Sequence, residues 1–290
     1  MPVTNAAPTH LDRIVAQTRR DLVTRMAWTG RAALERAAAE HQPRGFAANL
    51  RMAAQSRPAI IAELKKASPS KGLIRAEFNP AALASAMEQA GAAALSVLTD
   101  EPFFQGSLRN LQIASDAVQI PCLRKDFMVD PFQIVEARAH GADAILLIVA
   151  ALSDHELRTL RDAARDAELD VLCEVHSPGE IERALPLECE LYGVNTRDLR
   201  TFHVNSDAAL TMAQMLPATA VRVGESGIRT ADDIARMSAA GFDAFLVGET
   251  LMRADDPGAA LSELLEPMPS YGAIPSVDPF VLVPDLKTKG

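Results

Sequence analysis

The sequence predicts a (β/α)8 barrel of the TIM-barrel class, preceded by an N-terminal helical extension. Three observations predict it. Eight short apolar runs recur from residue 59 onward. Each is followed by a longer Ala/Leu/Arg/Asp segment with apolar residues at helical spacing. The runs begin 20 to 35 residues apart, which suits a strand, a loop and a crossover helix.

The runs cover residues 59–65, 94–99, 121–125, 144–149, 171–175, 191–195, 221–225 and 244–248. Three are introduced by a glycine phrase: Gly91-Ala92-Ala93, Gly141-Ala142-Asp143 and Gly241-Phe242-Asp243. Glycine at a helix end just before a buried strand is the expected αβ connection. Eight such units favour a closed parallel barrel over an open doubly wound sheet. The glycine fingerprint that an open sheet carries after its first strand is absent.

Residues 1–58 precede the first run. Leu11, Ile14, Val15, Leu22 and Val23 predict a helix from Thr9 or His10 to about Ala27, and a second helix is expected over residues 45–55. This extension is expected to cap a barrel end or fold over its mouth. With the barrel, residues 59–266, it makes one domain, residues 1–266, without a fused second barrel. Pro267, Pro269, Pro275, Pro279 and Pro284 break the remaining residues, 267–290, into an irregular tail to which no function is assigned.

Composition narrows the function. The chain is 48% hydrophobic but only 4% aromatic, so its core is aliphatic. Its net charge is −9 and no Lys/Arg cluster is long enough for a nucleic-acid footprint. Cys122, Cys173 and Cys189 are scattered, which suits buried thiols in a reducing compartment rather than disulfides or zinc. No leader pattern and no apolar run of about 18 residues is visible. A cytoplasmic protein without membrane contact is expected.

Barrel active sites lie at the C-terminal ends of the strands, and residues two apart on a strand share a face. Glu63 and Lys65 are such a pair in a run that should otherwise be apolar. Alone, the pair could be a structural ion pair. Other strand ends change that reading. Leu123-Arg124-Lys125-Asp126 turns Lys125 inward with Arg124 and Asp126 outward. Glu174-Val175-His176, Asn195-Thr196-Arg197 and Glu225-Ser226-Gly227 end later runs. Three acids (Glu63, Glu174, Glu225) thus meet three bases (Lys65, Lys125, Arg197) at one mouth, an arrangement that perturbs pKa values. For His176, a hydrogen-bonding role without catalytic duty is the simpler expectation.

Two loops point to a phosphorylated ligand. Ser226 and Gly227 follow the seventh run, and Gly248 and Glu249 follow the eighth and open a helix. Loops after strands seven and eight form the recurring phosphate site of such barrels. Ser68-Pro69-Ser70-Lys71-Gly72 is a candidate lid with extra donors. There is no carboxylate cluster free of lysine, so neither a metal nor another cofactor is expected.

These phrases resemble indole-3-glycerol phosphate synthase from the front helix to about residue 265. Those that carry the resemblance are residues 61–72 (IAELKKASPSKG), 103–107 (FFQGS), 123–127 (LRKDF), 172–176 (LCEVH), 193–199 (GVNTRDL) and 225–228 (ESGI). The resemblance implies conversion of 1-(2-carboxyphenylamino)-1-deoxyribulose 5-phosphate to indole-3-glycerol phosphate, with loss of carbon dioxide and water. It implies Lys125 as general acid and Glu174 as general base. Lys65 would hold the substrate carboxylate or assist proton transfer, with Glu63, Asn195 and Arg197 orienting groups. Ser68, Ser226, Gly227, Gly248 and Glu249 would meet the phosphate, beside Glu225.

Three expectations follow. A desolvated lysine beside another cation should have a depressed pKa. Glu249, a carboxylate at a phosphate site, should bind through its backbone N–H with its side chain turned outward. The only partner expected is a small phosphorylated substrate, with no obligate protein partner. The alternatives are a phosphosugar isomerase, which would want a Cys/Asp pair at the strand ends, and a barrel that binds a phosphorylated ligand without turnover.

Overall fold

A computed structural model of the chain describes residues 9–195 and 206–266. Eight parallel strands close into a barrel. They are β1 (Ala59–Leu64), β2 (Ala94–Leu98), β3 (Cys122–Lys125), β4 (Ala144–Ile148), β5 (Asp170–Val175), β6 (Leu191–Asn195), β7 (Val221–Glu225) and β8 (Ala244–Val247). Each pairs with its sequence neighbours, and β8 returns to β1 with Ile61 opposite Leu246. A two-residue antiparallel hairpin, Ala67–Ser68 with Gly72–Leu73, stands in the first βα loop.

The helices are α1 (His10–Trp28), α2 (Arg31–Glu40), α3 (Phe46–Ala54), α4 (Pro80–Gln89), α5 (Glu101–Phe104), α6 (Leu108–Asp116) and α7 (Phe132–Ala139). They continue as α8 (Asp154–Asp166), α9 (Pro178–Ala184), α10 (Ser206–Ala213), α11 (Ala231–Ala239), α12 (Glu249–Arg253) and α13 (Pro257–Leu265). Thr9 and Asp12 form a capping box that starts α1, satisfying N–H groups the first turn leaves unbonded. Gly91, Gly141 and Gly241 all have positive φ, the conformation that ends a helix sharply before the next strand.

Alternation along the strands sorts the core into two layers. Ile60, Ala62, Leu95, Leu147, Cys173 and Phe245 point outward into the helix layer. Ala59, Ile61, Leu123, Leu146, Leu172, Val223 and Leu246 point into the barrel. Phe46 and Leu50 of α3 join that inner set and plug the barrel floor. Buried polar groups lock the plug. Asn49 donates from Nδ2 to the Ala93 carbonyl, and the Ala47 N–H donates to Asp170.

The same floor carries a fully buried carboxylate, Asp143. It accepts from the Arg44 backbone N–H at 2.7 Å and from the Cys122 N–H at 2.6 Å. The Arg44 guanidinium and His41 Nε2 complete its shell. Burial alone would raise the Asp143 pKa, but these donors outweigh it and hold the carboxyl below its usual range.

The extension is therefore divided. Helix α3 seals the floor, whereas α1 reaches the opposite end of the barrel. Helix α2 was not among the expected elements. Its Ala-rich sequence buries only Leu34 and Ala38, too few apolar residues to show a clear stripe. The proline-rich tail lies outside the described residues.

Candidate active site

The inward positions of each strand continue upward from the apolar layers. Ala59 and Ile61 lead to Glu63 and Lys65, Leu123 leads to Lys125, Leu172 to Glu174, Gly193 to Asn195, Val223 to Glu225 and Leu246 to Gly248. These residues line a cavity of about 820 Å³ at the C-terminal end of the barrel. His10, Leu11 and Ile14 of α1 lie on its rim. The cavity joins eleven of the twelve sequence-predicted site residues: Glu63, Lys65, Ser68, Lys125, Glu174, Asn195, Glu225, Ser226, Gly227, Gly248 and Glu249. The twelfth, Arg197, lies outside the described residues.

Charge pairs in this layer are specific. Lys65 donates to Glu63 within the first strand's own face. Lys125 Nζ sits 3.3 Å from Glu174 Oε2 and 3.3 Å from Glu225 Oε2. Asn195 Nδ2 donates to Glu174 Oε1 at 3.3 Å, and Ser226 Oγ donates to Asn195 Oδ1 at 2.9 Å. Glu63, Glu174 and Glu225 are all buried. Outside the barrel wall, the buried Arg124 guanidinium donates to the Gln133 carbonyl at 2.7 Å and to Asp126 at 2.9 Å. That anchor fixes the end of β3, from which Lys125 projects.

The pKa expectation for Lys125 is corrected by these neighbours. Desolvation acts to lower it, but Glu225, Glu174 and Glu63 together outweigh burial and raise it well above the usual lysine range. The nearest groups are carboxylates, not a second cation. Burial opposes the charge of Glu174 as well, yet Lys125 and His176 hold its pKa low. Glu225 has the same burial without enough compensation. Desolvation and the Glu174 charge push it up, and its Oε1 is buried with no hydrogen-bond partner. Of the two carboxyls flanking Lys125, Glu225 is the one that takes a proton first.

Two glycines make room for this layer. A Cβ on Gly193 would collide with Glu225 Oε1, and one on Gly248 would collide with Glu63. Gly193 escaped sequence reasoning because it lies inside a strand, where a glycine signals close approach but not to what. Phe104 and Phe127 also escaped it. They line the cavity beside Lys125, with ring centroids 6.2 Å apart, and give the mouth an apolar wall. Their positions just beyond an apolar run were the available signal.

The rim between the first and last βα units differs from expectation at Glu249. Its carboxylate does not turn away. Oε1 lies 3.0 Å from Arg253 Nε and 3.4 Å from Lys71 Nζ, across the cavity edge. Arg75 bonds the Met252 and Ala254 carbonyls, tying the first loop to the end of α12. Ser226 has φ +68° and Gly227 φ +78°. A serine in the left-handed region costs on the order of 1 kcal/mol, and such strain collects at ligand sites.

Among the described residues, no group of three or more His, Cys, Asp or Glu is placed to hold a metal ion. No described helix is long and apolar enough to cross a membrane. A barrel mouth with two lysines, three buried carboxylates, an apolar wall and a donor-rich rim can bind a small anion and move protons at it.

Comparison with known proteins agrees. The sequence model of the indole-3-glycerol phosphate synthase family matches residues 11–264. The chain is similar to the indole-3-glycerol phosphate synthase of Koribacter versatilis, 59% identical over 255 residues, covering 88% of this chain and 98% of that protein. The protein of the same name from Acidithiobacillus ferrooxidans is 50% identical over 256 residues, covering 88% and 97%. Among solved structures, 3-hexulose-6-phosphate synthase from Salmonella typhimurium superposes with a TM-score of 0.57 at 14% identity, covering 71% of this chain and 98% of that one. That likeness speaks to the barrel alone.

Proposed function

The chain belongs to the indole-3-glycerol phosphate synthase family, and we propose how its charged mouth divides that family's reaction. The enzyme is a decarboxylating carboxy-lyase of tryptophan biosynthesis acting on a phosphorylated small molecule. It closes the indole ring of 1-(2-carboxyphenylamino)-1-deoxyribulose 5-phosphate, releasing carbon dioxide and water.

In this reading Lys125 is the general acid that protonates the substrate ketone as the aromatic carbon attacks. Its raised pKa means it enters the cycle fully protonated. Protonation of Glu225, whose pKa burial and the Glu174 charge push up, removes one of the charges that hold this proton and so favours its release. Glu174, ionised and oriented by Asn195, is the base of the dehydration. Lys65, held by Glu63, takes the substrate carboxylate. Phe104 and Phe127 receive the aromatic ring. Ser68, Ser226, Gly227, Gly248 and the backbone of Glu249 receive the phosphate, with Arg197 as a further cation. Helix α12 spans only five residues, so local N–H groups carry this rather than a long helix dipole.

We assign the activity to the single domain of residues 1–266, acting in the cytoplasm without an obligate protein partner. The observation that carries the reading is Lys125 set 3.3 Å from both Glu174 and Glu225 at the mouth. The test is direct. Purified protein incubated with the carboxyphenylamino substrate should give a rising indole fluorescence. No signal at high enzyme concentration would refute the assignment and leave an isomerase or a non-catalytic binder.

A further inference from the structure

His176 is inside the wall rather than in the cavity. It follows β5 and is two residues beyond Glu174, yet it does not line the mouth. Its imidazole lies between two carboxylates. Nε2 is 3.2 Å from Glu174 Oε1, and Nδ1 is 3.2 Å from Glu180 Oε2 in α9. The backbone N–H of His176 donates to the same Glu180 oxygen at 2.8 Å, so Glu180 fixes both ring and backbone. Ser177 caps α9 by accepting from the Glu180 N–H. The chain turn after β5 therefore sets the ring orientation.

We propose that His176 is a positioning residue for the ring-closing reaction, clamped by Glu180 so that its imidazolium holds Glu174 toward Lys125 and the cavity. This rests on Glu174 being the base. The geometry divides the labour between the two oxygens of Glu174. Oε2 faces Lys125, whereas Oε1 accepts from Asn195 and lies in charge contact with His176 Nε2, which is buried and makes no aligned hydrogen bond of its own. With Oε1 held from behind, Oε2 is left on the Lys125 side, toward the cavity. A neutral imidazole would serve less well, because with a carboxylate at each nitrogen one of the two would face a lone pair in either tautomer. Burial works against the imidazolium, but Glu174 and Glu180 overcome it and push its pKa up to about 10. Those two acids face His176, while Lys125 from β3, Asn195 from β6 and Glu225 from β7 face Glu174 from the other sides.

The test compares His176→Phe, His176→Gln, Glu180→Gln and Glu174→Gln by kcat, KM and the pH profile of kcat. Loss of the imidazolium raises the Glu174 pKa, so the acid limb of kcat should move to higher pH. We expect kcat for His176→Phe to fall about 10- to 100-fold, with KM within about twofold. His176→Gln, which keeps an N–H toward Glu174, should recover part of the rate. Glu180→Gln should show a smaller move of the acid limb in the same direction. Should His176→Phe fail to fold, His176→Gln and Glu180→Gln decide the matter. An unchanged acid limb in folded His176 variants, with Glu174→Gln inactive, overturns the positioning role alone. An active Glu174→Gln overturns the assignment of the base itself. Stability gives a second readout: a raised imidazole pKa contributes below the unfolded pKa near 6.5 and is lost as pH rises through about 10. The melting gap between wild type and His176→Gln should therefore close from neutral to alkaline pH, and a gap constant across that range counts against an imidazolium.

Discussion

The two ends of the barrel bury charge in opposite ways. At the floor, Asp143 is enclosed by Arg44, His41 and the Cys122 N–H, each aimed at a carboxylate oxygen. At the mouth, Lys125 is shared by two glutamates at 3.3 Å, and Glu225 Oε1 has no partner at all. A buried charge costs several kcal/mol unless its bonds are satisfied. The floor satisfies them, so removing any one partner there is costly. The mouth leaves them open around a cavity, so its charges remain available to something that enters. Incomplete satisfaction, rather than the presence of charge, separates a reactive end from a structural one.

The largest expected effect breaks the mouth without breaking the floor. Lys125→Met should lower kcat by about 10³-fold or more, in the range of a lost general acid, and leave a cooperative thermal transition. A near-normal rate in a folded variant would remove Lys125 from its role. At the floor, Arg44→Leu should cost about 3–5 kcal/mol of unfolding free energy by stranding Asp143, with kcat of the folded enzyme within about twofold of wild type. The Asp143 pKa is depressed when folded, so that contribution is present above its unfolded value of 3.8 and fades as pH falls further. Denaturant titrations at neutral and acidic pH should show the Arg44→Leu deficit shrinking with acid.

Two smaller effects sharpen the comparison within the mouth. Burial and the Glu174 charge raise the Glu225 pKa, so an amide imitates the protonated form these neighbours favour. Glu225→Gln should therefore keep kcat within about tenfold of wild type, whereas Glu174→Gln loses about 10²- to 10⁴-fold. Equal losses in both variants would show Glu225 to work as an anion. At the rim, Glu249 competes with an incoming phosphate for Lys71 and Arg253. These groups are partly exposed, so the effect is modest, of order 0–1 kcal/mol. Glu249→Gln should lower KM by about twofold to fivefold, and a rise would mean that the carboxylate organises the site instead.

Much of this was legible from alternation alone. Counting by twos from Ala59 reaches Lys65, and from Leu123 reaches Lys125, so the charged layer could be read without a structure. What alternation conceals is which charges end up nearest. Sequence placed a second cation beside Lys125, whereas closure of the barrel brought Glu174 and Glu225 across to it, and the pKa moved the other way. Gly193 illustrates the same limit. Its missing side chain matters only because Asn195 pairs in register with Glu225, which sets the Glu225 carboxylate over the Gly193 backbone. Helix α2 lacked a signal because it buries so little.

The seam where β8 meets β1 has a consequence for the order in which the protein becomes an enzyme. Glu63 fits against Gly248, Arg75 binds the carbonyls of Met252 and Ala254, and Lys71 reaches Glu249. The first quarter of the mouth therefore waits for residues near 250. A chain emerging from the ribosome makes α3 before every strand, but α3 plugs a barrel whose inner set includes Val223 and Leu246, so floor and chemistry alike stay unfinished until the last unit arrives. Ring closure in the fold must come before ring closure in the substrate, so no partial barrel can act on it prematurely.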